Sequence, residues 1–165
     1  MGEAMAFIAG AALIGCGATA VIDVWGIVRA RLFGVAMLDY GLVGRWVAHL
    51  ARGRFYHCRI AASDPVRGER LIGWTAHYLI GAIFAVILLA IGGPDWLRSP
   101  TIGIALTVGI GSAAAPFLIM QPGMGLGVAA SRSPRPNAAR LNTLLTHALF
   151  GLGLYAAGYV ASLVL

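Results

Sequence analysis

Four long apolar stretches decide what this chain can become. They cover about residues 5–28, 71–91, 101–120 and 139–163. A bilayer's hydrocarbon core is about 30 Å thick, so a spanning helix needs roughly 20 apolar residues, and each stretch meets that length. None alternates with the period of two that barrel strands require. The stretches therefore predict four transmembrane helices. The first contains Asp23, and the start ahead of it carries Glu3 and no arginine. A cleaved signal peptide has a positive start and a shorter apolar run, so this stretch is read as a retained helix. Only 11% of the 165 residues are charged and 59% are hydrophobic. Soluble domains carry about a quarter charged residues. A soluble globular enzyme, a disordered chain and a coiled coil are thereby excluded.

The few charges set an expected orientation. All twelve basic residues are arginines. Arg29, Arg31, Arg45, Arg52, Arg54, Arg59, Arg67 and Arg70 fall between the first and second spans. Arg132 and Arg135 fall between the third and fourth, with Arg140 opening the fourth, and Arg98 alone lies in the second loop. Positive loops stay in the cytoplasm. The first and third loops are expected to be cytoplasmic, with both termini outside. The net charge of +6 is then a matter of topology, and nucleic acid is not an expected partner.

The first loop, residues 29–70, is too long for a simple connection. Within it Leu38, Leu42, Val43, Trp46, Val47 and Leu50 recur at helical spacing, with Asp39, Arg45, His49 and Arg52 between them. This predicts an amphipathic helix lying on the membrane face. Trp46 is expected at headgroup level, and Arg45, Arg52 and Arg54 are expected to meet anionic lipid. The alternative use of residues 38–59 is docking onto a partner protein. Ser63, Asp64 and Pro65 resemble a helix start. Trp96, in the turn-rich second loop, is expected as an interface anchor. The third loop contains GMGLGVAA, which lacks the preceding strand and βαβ unit that a dinucleotide site needs. Its glycines are expected to let the backbone bend and pack closely. Cys16 and Cys58 lack CxxC spacing and are expected as free thiols.

Ionisable residues inside spans are costly, which makes them the place to look for function. Asp23 lies six residues before Arg29, His77 seven after Arg70, and His147 seven after Arg140. At about 1.5 Å per helical residue each is roughly 9–10 Å from its arginine. On straight helices the three would share one layer of the cytoplasmic half. Gln121, Asn142 and Thr146 lie near the same side, and Pro116 frees a backbone carbonyl about one turn from Gln121. Three interpretations are open. Asp23 and a histidine could exchange protons or bind a small solute during transport. Asp23, His77 and His147 could be an incomplete ligand set for a metal or haem. The same groups could be a hydrogen-bonded network that only holds the bundle together. No nucleophile is placed clearly enough to name a reaction, so no catalytic residue is assigned.

Five segments also carry a resemblance. They are TAVIDVWG at 19–26, LDYGLVGRWVAHLARGRF at 38–55, GERLIGWTAHYLIG at 68–81, APFLIMQPGMGLGVAASRSPRPNAAR at 115–140 and THALFGLGLY at 146–155. Together they resemble the bacterial integral-membrane family labelled domain of unknown function 2938. The resemblance implies a small four-helix membrane protein, has no activity attached, and transfers no catalytic residue.

The combined expectation is an all-α, integral membrane four-helix bundle forming one domain over 1–165. Both termini face outward, and an interfacial helix lies in the first cytoplasmic loop. The expected location is the bacterial inner membrane, as a multi-pass protein surrounded by lipid, with a homo-oligomer or a membrane complex as the open forms of assembly. The leading functional expectation is binding or movement of a small solute or protons through the Asp/His cluster. The second is a non-catalytic accessory subunit docking through 38–59, and the third is a haem or metal protein.

Overall fold

The computed structural model describes residues 2–164. It is all-helical, with no strand among the described residues. Helix α1 spans Glu3–Phe33, α2 Tyr40–Leu50 and α3 Glu69–Gly92. Helix α4 begins as Ile102–Gly111 and continues, through a wide π-helical turn at Pro116–Met120, to Gly123. Helix α5 spans Pro136–Val164. Helices α1, α3, α4 and α5 are each long and apolar enough to cross a membrane. Most of each span's surface is not buried within the protein, and large apolar side chains such as Ile8, Val24, Leu79 and Leu163 point outward. That is the surface expected of helices solvated by lipid.

Local chemistry explains where the helices begin and end. Gly34, with φ +63°, closes α1 by donating its N–H to the Arg29 carbonyl, the left-handed ending that glycine adopts without a Cβ penalty. Asp39 caps α2 by accepting the Gly41 N–H at 2.8 Å. Helix α3 departs from expectation. It starts at Glu69, and Ser63–Pro65 stay non-helical behind a short 3₁₀ turn at Ile60–Ala62. Gly68 has φ +78°, which interrupts any helix begun at Pro65. The Glu69 carboxylate takes over the capping role and accepts the Val66 N–H at 3.0 Å. In α4 the missing N–H of Pro116 produces the wide turn, which closes with the Gln121 N–H on the Pro116 carbonyl.

The chain forms two compact units. The first comprises residues 1–37, 78–112 and 145–165, and contains segments of all four long helices. Its core holds Ile14, Leu88 and Leu154, all fully buried, with Ala18, Ala85, Ala105 and Ala161 between them. Phe84 and Phe150 meet edge to face at 6.4 Å. Helices α4 and α5 touch through backbone: a Cβ on Gly109 would overlap the backbone of Gly151. Trp96 belongs to this core. It is 3% exposed and lies against Gly92 and Gly158, so the expected interface anchor is an internal packing residue.

The second unit comprises residues 38–77 and 113–144. Helix α2 packs across the first turns of α3 at a glycine crossing. A Cβ on Gly44 would overlap the Glu69 carbonyl, and one on Gly73 would overlap the Tyr40 carbonyl. Val43, Trp46, Ile60 and Met124 form the small core of this unit. The 121–125 turn runs beside residues 55–60, with the His57 N–H on the Gly123 carbonyl at 2.9 Å and the Ile60 N–H on the Met124 carbonyl at 3.1 Å. A Cβ on Gly123 would strike the Trp46 indole, and one on Gly125 the Cys58 carbonyl. The glycines of this loop do provide close approach, as expected.

Replacing Gly73 by alanine should therefore lower stability in detergent by about 1–3 kcal/mol, the usual cost of overpacking. Gly103→Ala, whose new methyl meets nothing within 4 Å, should be neutral or slightly stabilising. Thermal unfolding followed by circular dichroism separates the two.

Candidate functional site

Asp23 and His147 both lie in the first unit, each bonded to a hydroxyl on another helix. The half-buried Asp23 carboxylate on α1 accepts the Tyr78 O–H of α3 at 2.9 Å. His147 on α5 places Nδ1 2.7 Å from Ser112 Oγ, at the end of α4's first segment. The Ser112 hydroxyl donates its own hydrogen to the Gly109 carbonyl. It must therefore accept from His147 Nδ1–H, the tautomer that leaves Nε2 without a hydrogen.

His77, Gln121 and Asn142 fall in the second unit. His77 Nε2 lies 2.8 Å from the Tyr40 hydroxyl of α2. The Tyr40 ring packs on Trp74 at 4.2 Å and on His77 at 4.5 Å, so one turn of α3 carries an aromatic cluster around the imidazole. Gln121 is 6% exposed. Its Nε2 donates to Thr143 Oγ1 at 3.3 Å, while its Oε1 is buried without a hydrogen-bond partner among the described residues. Asn142 is half-buried on α5. The five polar residues thus divide between the two units. Among the described residues no three or more His, Cys, Asp or Glu are grouped so as to hold a metal ion.

The four residues expected at the membrane face also divide. Arg52 and Arg54 are exposed just beyond α2. Arg45 and Trp46 turn inward. Arg45 grips Glu69 with both ends of its fork, Nε to Oε2 and Nη2 to Oε1, each at 2.8 Å. Its Nη1 donates to the Ser63 carbonyl at 3.0 Å. Glu69 holds the guanidinium above its ordinary pKa, by hydrogen bond first and charge second. The Trp46 indole donates to the Phe55 carbonyl at 3.1 Å. A bidentate, charge-assisted pair is far more demanding of position than lipid contact, and here it ties α2 to the start of α3.

Two histidines of the first loop are buried: His49, which the sequence analysis left on the polar side of α2, and His57, which it did not single out. His49 and His57 are 2% and 8% exposed, and His49 Nδ1 lies 2.8 Å from His57 Nε2. A signal for His49 was present: Val43, Trp46 and His49 recur every three residues, all on the buried face. No comparable signal marked His57, because its burial depends on Gly123, 66 residues away.

A family model described as "Protein of unknown function (DUF2938)" matches residues 12–161. The chain belongs to this family. The match includes both units' polar residues, from Asp23 to His147, as well as His49 and His57. No curated protein and no solved structure matches the chain.

Removing the Arg45 fork should be costly, because Glu69 would keep its charge without its partner. Arg45→Ala is expected to lower stability by about 1.5–3 kcal/mol. In a double-mutant cycle with Glu69→Gln the two losses should be strongly non-additive, as read from denaturation midpoints.

Proposed function

We propose that this family member is a multi-pass inner-membrane protein that binds or moves protons or a small polar solute through its intramembrane acid and imidazole groups. The observation that carries the reading is the Tyr78 O–H on the Asp23 carboxylate at 2.9 Å, inside the helices of the first unit. A charged carboxylate at mid-membrane costs about 2.5–3.5 kcal/mol on insertion scales. The Tyr78 phenol donor offsets part of that cost. His147, held against Ser112, supplies a second polar group in the same unit. The arginine distribution supports a topology with both termini outside.

A second reading rests on a different surface. Phe55 and Tyr56 are 58% and 78% exposed beside the exposed Arg52 and Arg54. This basic and aromatic face supports docking onto anionic lipid or a subunit of a membrane complex.

In reconstituted vesicles carrying a pH-sensitive dye, Asp23→Asn should abolish proton or solute-coupled flux while leaving the melting temperature close to wild type. A lowered melting temperature with unchanged flux would mean that the pair is structural. The topology has its own check. The exposed Cys58 should react with a membrane-impermeant maleimide in inside-out vesicles and stay unmodified in intact cells.

A further inference from the structure

Beyond α2 the chain turns back and sets the His57 ring against that of His49. The ring centres are 5.0 Å apart with the planes 28° from parallel, and His49 Nδ1 lies 2.8 Å from His57 Nε2. On its other side His57 Nδ1 lies 3.1 Å from the Gly123 carbonyl oxygen. Hydrogen-bond chemistry orders this chain in one direction. A carbonyl oxygen only accepts, so His57 Nδ1 carries the hydrogen. Neutral His57 then has a bare Nε2, and His49 must donate to it from Nδ1. The one ring nitrogen outside the chain is His49 Nε2.

That order sets how many protons the pair can hold. A first extra proton can enter at His49 Nε2 and leave both hydrogen bonds intact. A second must enter at His57 Nε2. It would point N–H at N–H across 2.8 Å, between two cationic rings. The closed arrangement therefore tolerates one proton and excludes two. The same Gly123 carbonyl also accepts the His57 backbone N–H, so the rings brace the seam that joins residues 55–60 to residues 121–124.

We propose that the His49–His57 dyad is a proton-operated latch, which holds the 55–60 segment on the 121–124 turn and releases it when both rings are protonated. The surrounding charges are mixed. Arg52 and Arg54, beyond the end of α2, oppose a proton on His49, whereas Asp64 favours one. Glu69, from the start of α3, feels the His49 charge as an attractive one. The 121–124 turn contributes no ionisable side chain. Burial pushes the His49 imidazole below its ordinary value of 6.5, with His57 and the two arginines adding to it. The sign follows for His49: the closed segment prefers its ring neutral, the open one lets it take up a proton below about pH 6.5, and closure weakens as pH falls below that value. This inference is independent of the flux reading at Asp23.

The test is amide hydrogen exchange of the full chain in detergent at about pH 7.5 and pH 5, corrected for the intrinsic rate. The His57 and Ile60 amides should lose about tenfold or more of their protection at the lower pH. The Ala85 and Leu88 amides, in the core of the first unit, should not change. His49→Gln keeps a donor for His57, and its amide can turn to accept from a protonated ring, so the pH effect should vanish. Unchanged protection in the wild type, an equal loss in His49→Gln, or loss spread across both units would each overturn the proposal. Should His49→Gln fail to fold, long-range ¹⁵N spectra of the wild type decide the matter. Both rings should be Nδ1–H tautomers at the higher pH, and an Nε2–H tautomer at His57 would refute the latch.

Discussion

Hydrocarbon offers no hydrogen-bond partner, and the rest of this structure follows from that. Every backbone N–H and C=O in a span has to be satisfied within the chain, which leaves helices or closed barrels. The four long helices meet the requirement along their length. In α4 the Phe117 N–H keeps the ordinary four-residue bond to the Ala113 carbonyl, and the chain then widens at Pro116–Met120 so that the Gln121 N–H reaches the Pro116 carbonyl. The ionisable side chains in the spans find partners as well. Asp23, His147 and His77 each bond a hydroxyl, from Tyr78, Ser112 and Tyr40 respectively.

The same solvent weakens the usual reason for helices to associate. Lipid tails are as apolar as leucine, so close packing takes over. Within the first unit the backbones of Gly109 and Gly151 meet with no side chain between them. The second unit uses the same device at Gly44 and Gly73 and adds an ion pair, Arg45 with Glu69. Close contact sets the distance between α2 and α3, while the fork sets their register. The two devices sit one residue apart on α2, so a single turn of helix carries both.

How far function could be read from the chain depended on what kind of signal each residue leaves. Asp23, His77 and His147 stood out because ionisable residues are rare in apolar stretches. Counting from the flanking arginines gave their height in a span but not the face they occupy. Their hydroxyl partners come from other helices, and no spacing rule announces Tyr78 or Ser112. Arg45 and Trp46 read as membrane-facing because an amphipathic helix with arginines and a tryptophan normally lies at an interface. Glu69 and the Phe55 carbonyl reverse that assignment by giving both side chains internal partners. The histidine dyad was hidden for a similar reason, since its second anchor is a backbone carbonyl far along the chain.

Length and hydropathy are local properties, integrated over about twenty residues, and the bilayer thickness converts them directly into spans. That is why the sequence by itself determined the class, the number of long helices and the amphipathic α2. Which polar atoms meet is a property of pairs that are distant in the chain. Only the tertiary structure decided that Arg45 grips Glu69, that Trp96 is core, that the acid and imidazole groups are shared between two units, and that His49 faces His57. Hydrogen bonds and ion pairs act within about 3 Å. A spacing rule accurate to one helical turn, about 5.4 Å, cannot choose among the partners within reach, and the folded backbone makes that choice.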